Sequence, residues 1–181
     1  MKEINVKELK DNFFDAIGKE WMLVTAGTGS NFNLMTASWG GIGWLWNKPV
    51  AFVFIRPERY TFEFAEQSNH ITLSFLGMGK EAREIYKICG SKSGRDINKV
   101  EACGLEVEPT VHDGVVYKQA RLTLIGTKLY ADELKPECFI DSALRDRWYS
   151  SSQEAQKLDS GITNGMHKMY ILEITGAYVN D

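Results

Sequence analysis

The chain has 181 residues, of which 44% are hydrophobic and 25% charged, and its formal net charge at pH 7 is −3. These values are typical of one globular domain over residues 1–181 and exclude disorder over the whole chain. A slightly acidic chain is a poor match for nucleic acid, which usually binds a basic surface. We expect no membrane span, since the apolar runs are short, and no signal peptide, since the N-terminal residues are charged throughout.

The hydrophobic pattern predicts short strands with helices inserted between them. A first helix is predicted over 6–17 with Gly18 as its end, and Thr61, Asp96 and Gly90 are further capping signals. The predicted strands are 21–25, 32–38, 50–56, 71–76, 105–107, 115–120, 122–130 and 168–174. The other predicted helices are 62–67 (capped by Thr61), 80–89 (ended by Gly90), a short helix capped by Asp96 that ends near Gly104, and 136–149. The segment 150–165 is a predicted loop.

This order of elements indicates a mainly β fold with helical insertions. The strands do not alternate regularly with helices of 10–15 residues, so a doubly wound parallel sheet is not expected. An antiparallel barrel, closed or partly open, fits the pattern better.

Several common catalytic signatures are absent from the sequence. The three histidines are far apart, no HExxH or CxxC occurs, and no metal site is expected. There is no P-loop and no GxSxG, and Gly27-Thr28-Gly29 is only half of a dinucleotide fingerprint. An odd count of three cysteines without a paired spacing favours reduced thiols in the cytoplasm.

Two segments have the residue types of a ligand site. In 33–40, small residues after a strand leave backbone groups open to a flat ligand, and Thr36 and Ser38 add hydroxyls. In 56–61, Arg56 and Arg59 precede a helix start at Thr61, a combination that suits a phosphate. The alternative is that both arginines are solvated surface charges and that Thr61 only caps a helix.

Three tryptophans lie in the glycine-rich segment 38–46, namely Trp39, Trp44 and Trp46. They could present aromatic surfaces beside a backbone that a ligand approaches closely. Alternatively, the segment is a glycine-rich turn whose tryptophans fill a core or a subunit interface.

The order of the short motifs resembles the flavin reductase-like proteins, and within them the flavoredoxins. The resemblance covers nearly the whole chain from about residue 20 onward. Its motifs, in chain order, are Met35–Gly40, Lys48-Pro49, Arg56-Pro57 with Arg59–Thr61, Ser74–Leu76, Ser93–Asp96 with Lys99, Cys138–Asp141, Trp148-Tyr149 and His167–Ile171. Each motif is weak alone, and their common order makes the resemblance specific.

The resemblance implies an FMN-binding split β-barrel, a Greek-key antiparallel barrel that works as a homodimer. It implies flavin ring contacts from Met35, Thr36, Ala37, Ser38 and Trp39. It implies a phosphate near Arg56, Arg59 and Thr61, with further positive charge from Arg95 and Lys99, and it implies Tyr60 as another cofactor-binding residue. Leu76, Gly77 and Met78 would line the ribityl chain or the ring edge, and His167 would be the catalytic contact to the nicotinamide.

The function that the resemblance implies is NAD(P)H-dependent flavin reduction or flavoredoxin-like electron transfer, with hydride passing to flavin N5. The family often has Gly-Asp-His before the last strand, whereas this chain has Gly165-Met166-His167. That replacement favours the first alternative, an FMN electron carrier reduced by a redox protein without NAD(P)H activity. The second alternative is a non-enzymatic barrel that binds another planar ligand, such as haem, or serves as an interaction module.

Overall fold

A computed structural model describes residues 1–108, 110, 112–149 and 165–180. The strands are β1 (Lys2–Ile4), β2 (Met22–Thr28), β3 (Asn31–Ala37), β4 (Gly40–Leu45), β5 (Lys48–Ile55), β6 (His70–Phe75), β7 (Val107–Glu108), β8 (Val116–Tyr117), β9 (Leu122–Glu133) and β10 (Lys168–Val179). The helices are α1 (Phe13–Asp15), α2 (Tyr60–Gln67), α3 (Lys80–Ser91), α4 (Lys99–Ala102) and α5 (Ser142–Tyr149). A π-helical turn, Ala16–Glu20, extends α1, and 3-10 turns occupy Val6–Glu8 and Pro136–Cys138.

Eight strands form one antiparallel sheet in the order β3-β2-β6-β9-β10-β5-β4, with β1 paired to the far end of β10. The strands β7 and β8 form a separate two-stranded ribbon. Within the described residues, β3 and β4 are the two ends of this strand order, and β1 is a further edge strand. This arrangement confirms the prediction of a mainly β, antiparallel fold with inserted helices.

The main core lies between the inner faces of β2, β5, β6, β9 and β10. Val53 and Ile55 of β5 and Tyr170 and Leu172 of β10 are all fully buried there. A second cluster forms where α3 covers β2 and β3, with Tyr86 and Cys89 packed on Leu23 and Leu34. The helix α3 is therefore held firmly against the part of the sheet that carries the site.

Two helix starts differ from the predictions because an asparagine side chain accepts hydrogen bonds from backbone amides there. The segment 6–17 is broken, because Asn12 caps a new start at Phe13 by accepting from the amide of Phe14, and the helical chain runs past Gly18 to Glu20. Similarly, Asn98 rather than Asp96 caps α4, accepting from the amides of Val100 and Glu101.

Two other capping predictions and one helix prediction are wrong. The helix α2 begins after Arg59, and Thr61 lies within its first turn. Gly90 lies inside α3, which continues to Ser91. The segment 136–149 is divided into a 3-10 turn and α5, and Asp141 accepts a hydrogen bond from the amide of Leu144 at the start of α5.

The strand predictions locate most of the sheet but miss two strands. The structure adds β1 and β4, and β9 and β10 extend to 12 residues each. Only Gly165 of the predicted loop 150–165 lies among the described residues. No helix in the described part of the chain is long and apolar enough to cross a membrane.

Candidate functional site

The strand register brings the ends of β2, β3, β5 and β10 together at one end of the sheet. In the antiparallel pairs, Met22 lies opposite Ala37, Gly40 opposite Val53 and Lys168 opposite Ile55. The residues that flank these pairs, namely Trp21, Ser38, Trp39, Phe54, Arg56 and His167, all line one cleft. Gly40 permits this approach, because a Cβ there would lie 2.7 Å from the carbonyl oxygen of Phe52.

These strand ends, one face of α3 and the end of α5 enclose a cleft of about 660 Å³. Its lining combines aromatic, cationic and small polar side chains: Trp21, Met35, Thr36, Ala37, Ser38, Trp39, Phe54, Arg56, Arg59, Arg83, Tyr86, Lys87, Gly90, Ser91, Trp148 and His167. Within the described residues, no group of histidine, cysteine and acidic side chains could hold a metal ion.

The cleft brings together eight of the residues that the sequence singled out. They are Met35, Thr36, Ala37, Ser38, Trp39, Arg56, Arg59 and His167. The other seven, Tyr60, Thr61, Leu76, Gly77, Met78, Arg95 and Lys99, do not line it.

The seven residues outside the lining have other contacts. Thr61 is buried and accepts a 2.8 Å hydrogen bond from the Asn33 amide. Lys99 is also buried, and its ammonium donates to the carbonyl oxygens of Leu34 (2.9 Å) and Cys89 (3.0 Å). Both side chains therefore join α2 and α4 to the strand and helix behind the cleft.

The remaining residues form two surface groups. Arg95 pairs with Glu63 and lies over the Tyr60 ring at 4.6 Å. The amide of Leu76 donates to the Tyr86 hydroxyl at 2.7 Å, and the amide of Gly77 donates to Glu20. Met78 is 64% exposed.

An aromatic wall closes one side of the cleft. The Trp39 ring packs edge-on against Trp148 at 4.8 Å and lies 5.1 Å from the His167 ring. His167 Nδ1 is 2.8 Å from the Tyr149 hydroxyl. Burial, and then the charge of Arg56, lower the pKa of His167 to about 3, so the imidazole is neutral at pH 7.

Arg56 anchors that wall from behind. It is buried, and its guanidinium donates to the carbonyl oxygens of Gly165 (2.8 Å) and Trp148 (3.0 Å) while lying 5.0 Å from the centre of the Tyr149 ring. The interpretation of Arg56 as a solvated surface charge is therefore wrong. Its hydrogen bonds attach the residues before β10 to the end of α5.

The opposite wall comes from α3 and was missed at the level of sequence. Arg83, Tyr86, Lys87 and Gly90 recur every three or four residues, which places them along one face of a helix. The Thr36 hydroxyl donates to the carbonyl oxygen of Tyr86 at 2.6 Å, so only its lone pairs remain for a ligand. This spacing was a usable signal, but the sequence does not say which strand the face meets.

Trp21 has an unusual backbone at the cleft edge. Its φ of 77° is rare for a bulky residue and is disfavoured by steric repulsion. The Tyr86 hydroxyl donates to the Trp21 carbonyl oxygen at 3.0 Å, and the Arg83 guanidinium lies 4.9 Å from the centre of the indole ring. The wall formed by α3 therefore stabilises the conformation that turns Trp21 toward the cleft.

The chain belongs to the family of flavin reductase like domains, whose model matches residues 14–181. Among solved structures it is similar to a flavoredoxin from Methanosarcina acetivorans, with 16% identity, a TM-score of 0.65, and coverage of 100% of this chain and 77% of the other. It is also similar to an FMN-binding domain of a flavin reductases-like enzyme from Shewanella baltica (19%, 0.62, 98% and 76%).

A third similar structure is an NADH:FAD oxidoreductase from Streptomyces globisporus (12% identity, TM-score 0.61, coverage of 89% and 75%). A search of curated proteins finds no match. These comparisons confirm the split β-barrel and the membership in the flavin reductase-like family that the motif order implied.

The chemistry of the cleft fits a flavin mononucleotide. Its volume lies within the range of roughly 300–1,000 Å³ that is usual for cofactor sites. Arg59, Arg83 and Lys87 supply cations suited to a phosphate, whereas Trp39 and Trp148 supply flat apolar surface for a ring system.

Proposed function

We propose that the chain binds FMN in this cleft and transfers electrons through it, as an NAD(P)H-dependent flavin reductase or a flavoredoxin-like protein. The observation that carries the proposal is the division of one cleft into a cationic wall on α3 and an aromatic wall at Trp39 and Trp148. A flavin nucleotide has the same division between phosphate and ring.

The cationic wall would hold the phosphate. Arg83 and Lys87 are one helical turn apart on α3, and Arg59 reaches the same helix by donating to the Cys89 carbonyl oxygen at 3.5 Å. The residues from Thr36 to Ser38 would contact the ring through their backbone groups, because β3 ends there as an edge strand. In this arrangement the Thr36 hydroxyl would accept a hydrogen bond from the ligand, because it already donates its proton to the carbonyl oxygen of Tyr86 in α3.

Bound FMN would supply the redox chemistry, as the acceptor of a hydride from a nicotinamide. The protein's task is to orient two flat rings and exclude water. His167 suits this task because its neutral imidazole adds a polar atom to the aromatic wall without adding a charge. The reaction needs no general base, in agreement with the lack of a hydrolytic motif in the sequence.

An anaerobic absorbance experiment tests the proposal. Purified protein is saturated with FMN, then treated with NADH, NADPH and finally dithionite. Bleaching of the flavin bands by a pyridine nucleotide supports the reductase. The complete absence of bound flavin after FMN addition would reject the proposal and leave a barrel for another planar ligand or an interaction module.

A matched pair of variants on α3 tests the cationic wall. Lys87→Ala should raise the FMN dissociation constant about tenfold, because about 1.4 kcal/mol is a modest value for one phosphate contact. Lys80→Ala, at the start of the same helix and outside the cleft lining, should leave it unchanged. Flavin fluorescence titration measures both constants, and equal constants would remove Lys87 from the site.

A second candidate function is an FMN electron carrier reduced by a redox protein. The observation that favours it is Met166, which stands where related sequences often carry an acidic residue next to the histidine. Flavin bands that bleach with dithionite but with neither NADH nor NADPH would favour this carrier.

We also propose that the working form is a homodimer. Trp44 and Trp46 are 58% and 56% exposed at the edge strand β4. Exposed tryptophans beside an unpaired strand edge are typical of an interface. Sedimentation at micromolar concentration should give a dimer, and a monomer would contradict the proposal.

A further inference from the structure

Behind the α3 wall, two cysteine thiols lie in contact. Cys89, in the last turn of α3, is fully buried, whereas Cys103, directly after α4, is partly exposed. Their Sγ atoms are 3.7 Å apart and both thiols are free. A disulfide needs about 2 Å between the sulfur atoms, so a small approach of the two helix ends would join them.

The surroundings of this pair are cationic. The Lys99 ammonium and the Arg59 guanidinium both donate to the carbonyl oxygen of Cys89. Positive charge favours the thiolate that attacks a disulfide, and burial opposes it. Burial dominates and raises the pKa of both thiols, that of Cys89 to about 12, so exchange at pH 7 should be slow.

We propose that Cys89 and Cys103 form a second redox site, a dithiol that closes to an intramolecular disulfide by exchange with a low-molecular-weight disulfide. The pair differs from two unrelated buried cysteines in its contact distance and in the exposure of one member. Cys138, which is exposed, is paired with neither.

The exchange has two steps. The Cys103 thiolate attacks one sulfur of the small disulfide, forming a mixed disulfide and releasing one small thiolate. The Cys89 thiolate then attacks Cys103 Sγ, forming the Cys89–Cys103 bond and releasing the second small thiolate. The protein loses two electrons, the small disulfide gains them, and the two cysteine protons pass to the released thiols.

The experiment uses the full chain with Cys138→Ser, incubated with glutathione disulfide, then denatured and alkylated for intact mass. We expect the loss of two hydrogen atoms, no alkylation, and full reversal by dithiothreitol. With Cys89→Ser added, a glutathione should remain on Cys103. With Cys103→Ser added instead, the buried Cys89 should stay unmodified.

Two outcomes would overturn the proposal: two alkylated thiols after prolonged incubation, or a stable glutathione adduct on Cys103 while Cys89 is present. Peptide mapping of the wild-type chain covers the case in which a variant misfolds, since it should yield a Cys89–Cys103 linked peptide without any substitution. The test needs no flavin, so its failure would leave the proposed function untouched.

Discussion

Acid should destabilise the folded chain through His167. Burial and the Arg56 charge lower the pKa of this imidazole from 6.5 to about 3. Between these values the unfolded chain binds a proton that the folded chain does not. The contribution of His167 to the unfolding free energy is therefore fully present above pH 6.5 and decreases as the pH falls below that value. One pKa unit corresponds to about 1.4 kcal/mol, so at pH 4.5 the loss from His167 is about 3 kcal/mol.

Urea unfolding at pH 7.5 and pH 4.5 measures this loss, with His167→Gln as the comparison. Glutamine has no proton to bind in this range and can still accept from the Tyr149 hydroxyl, so the variant should lose about 3 kcal/mol less than wild type between the two pH values. Equal losses in the two proteins would refute the reasoning. An NMR titration in which the His167 imidazole is half protonated above pH 5 would refute it as well.

Two further substitutions test the buried Lys99 behind the cleft and the packing of Gly126 in the main sheet. Burial lowers the pKa of Lys99 to about 8, so the unfolded chain holds a proton above that pH which the folded chain releases, and stability rises with pH. Lys99→Met should remove about 2 kcal/mol of the rise in unfolding free energy between pH 7.5 and 9.5 in urea titrations, and an unchanged rise would contradict the assignment. Gly126→Ala would bring a Cβ within 2.7 Å of the Leu172 Cβ and should cost about 1–3 kcal/mol in thermal unfolding. Gly18→Ala, with no atom within 4 Å, should cost nothing, and equal effects of the two alanines would refute the packing argument.

The buried strands were predictable because a short, continuous run of apolar residues is typical of a strand that is buried on both faces. The run over 50–55 is apolar at every position, and the structure buries four of these six residues, Val50, Ala51, Val53 and Ile55. The strand β4 was missed for the opposite reason. Its sequence, Gly40–Leu45, contains three glycines, which lower strand propensity. The segment is a strand because each of its residues pairs with a residue of β5.

The turn after β4 shows which residues of the segment 38–46 form the strand and which form the turn. Leu45 pairs with Lys48, so Trp46 and Asn47 alone make the turn, and both have positive φ, as in a type I′ hairpin. A tryptophan is an unusual choice there. The sequence indicated a glycine-rich turn with aromatic residues, but the glycines form the strand and the tryptophan forms the turn.

The part of the site at the end of β3 was predictable from the sequence. The segment from Met35 to Trp39 lines the cleft as its small and hydroxyl-bearing residues suggested. Lys99 and Thr61 resemble phosphate contacts in sequence, yet one donates to two backbone carbonyl oxygens and the other accepts from Asn33. A sequence does not distinguish a lysine that binds an anion from one that joins backbone segments, because the distinction depends on tertiary contacts.

Arg56 belongs to a predicted phosphate motif, but its contacts are with the aromatic wall of the cleft. Its guanidinium binds the carbonyl oxygens of Trp148 and Gly165, so it sets the position of the aromatic wall rather than of an anion. Its charge also helps to keep His167 unprotonated. The same cation therefore positions the aromatic wall and favours the neutral form of the imidazole beside it. Under the proposed function, the phosphate contacts are therefore expected from Arg59 and from Arg83 and Lys87 of α3.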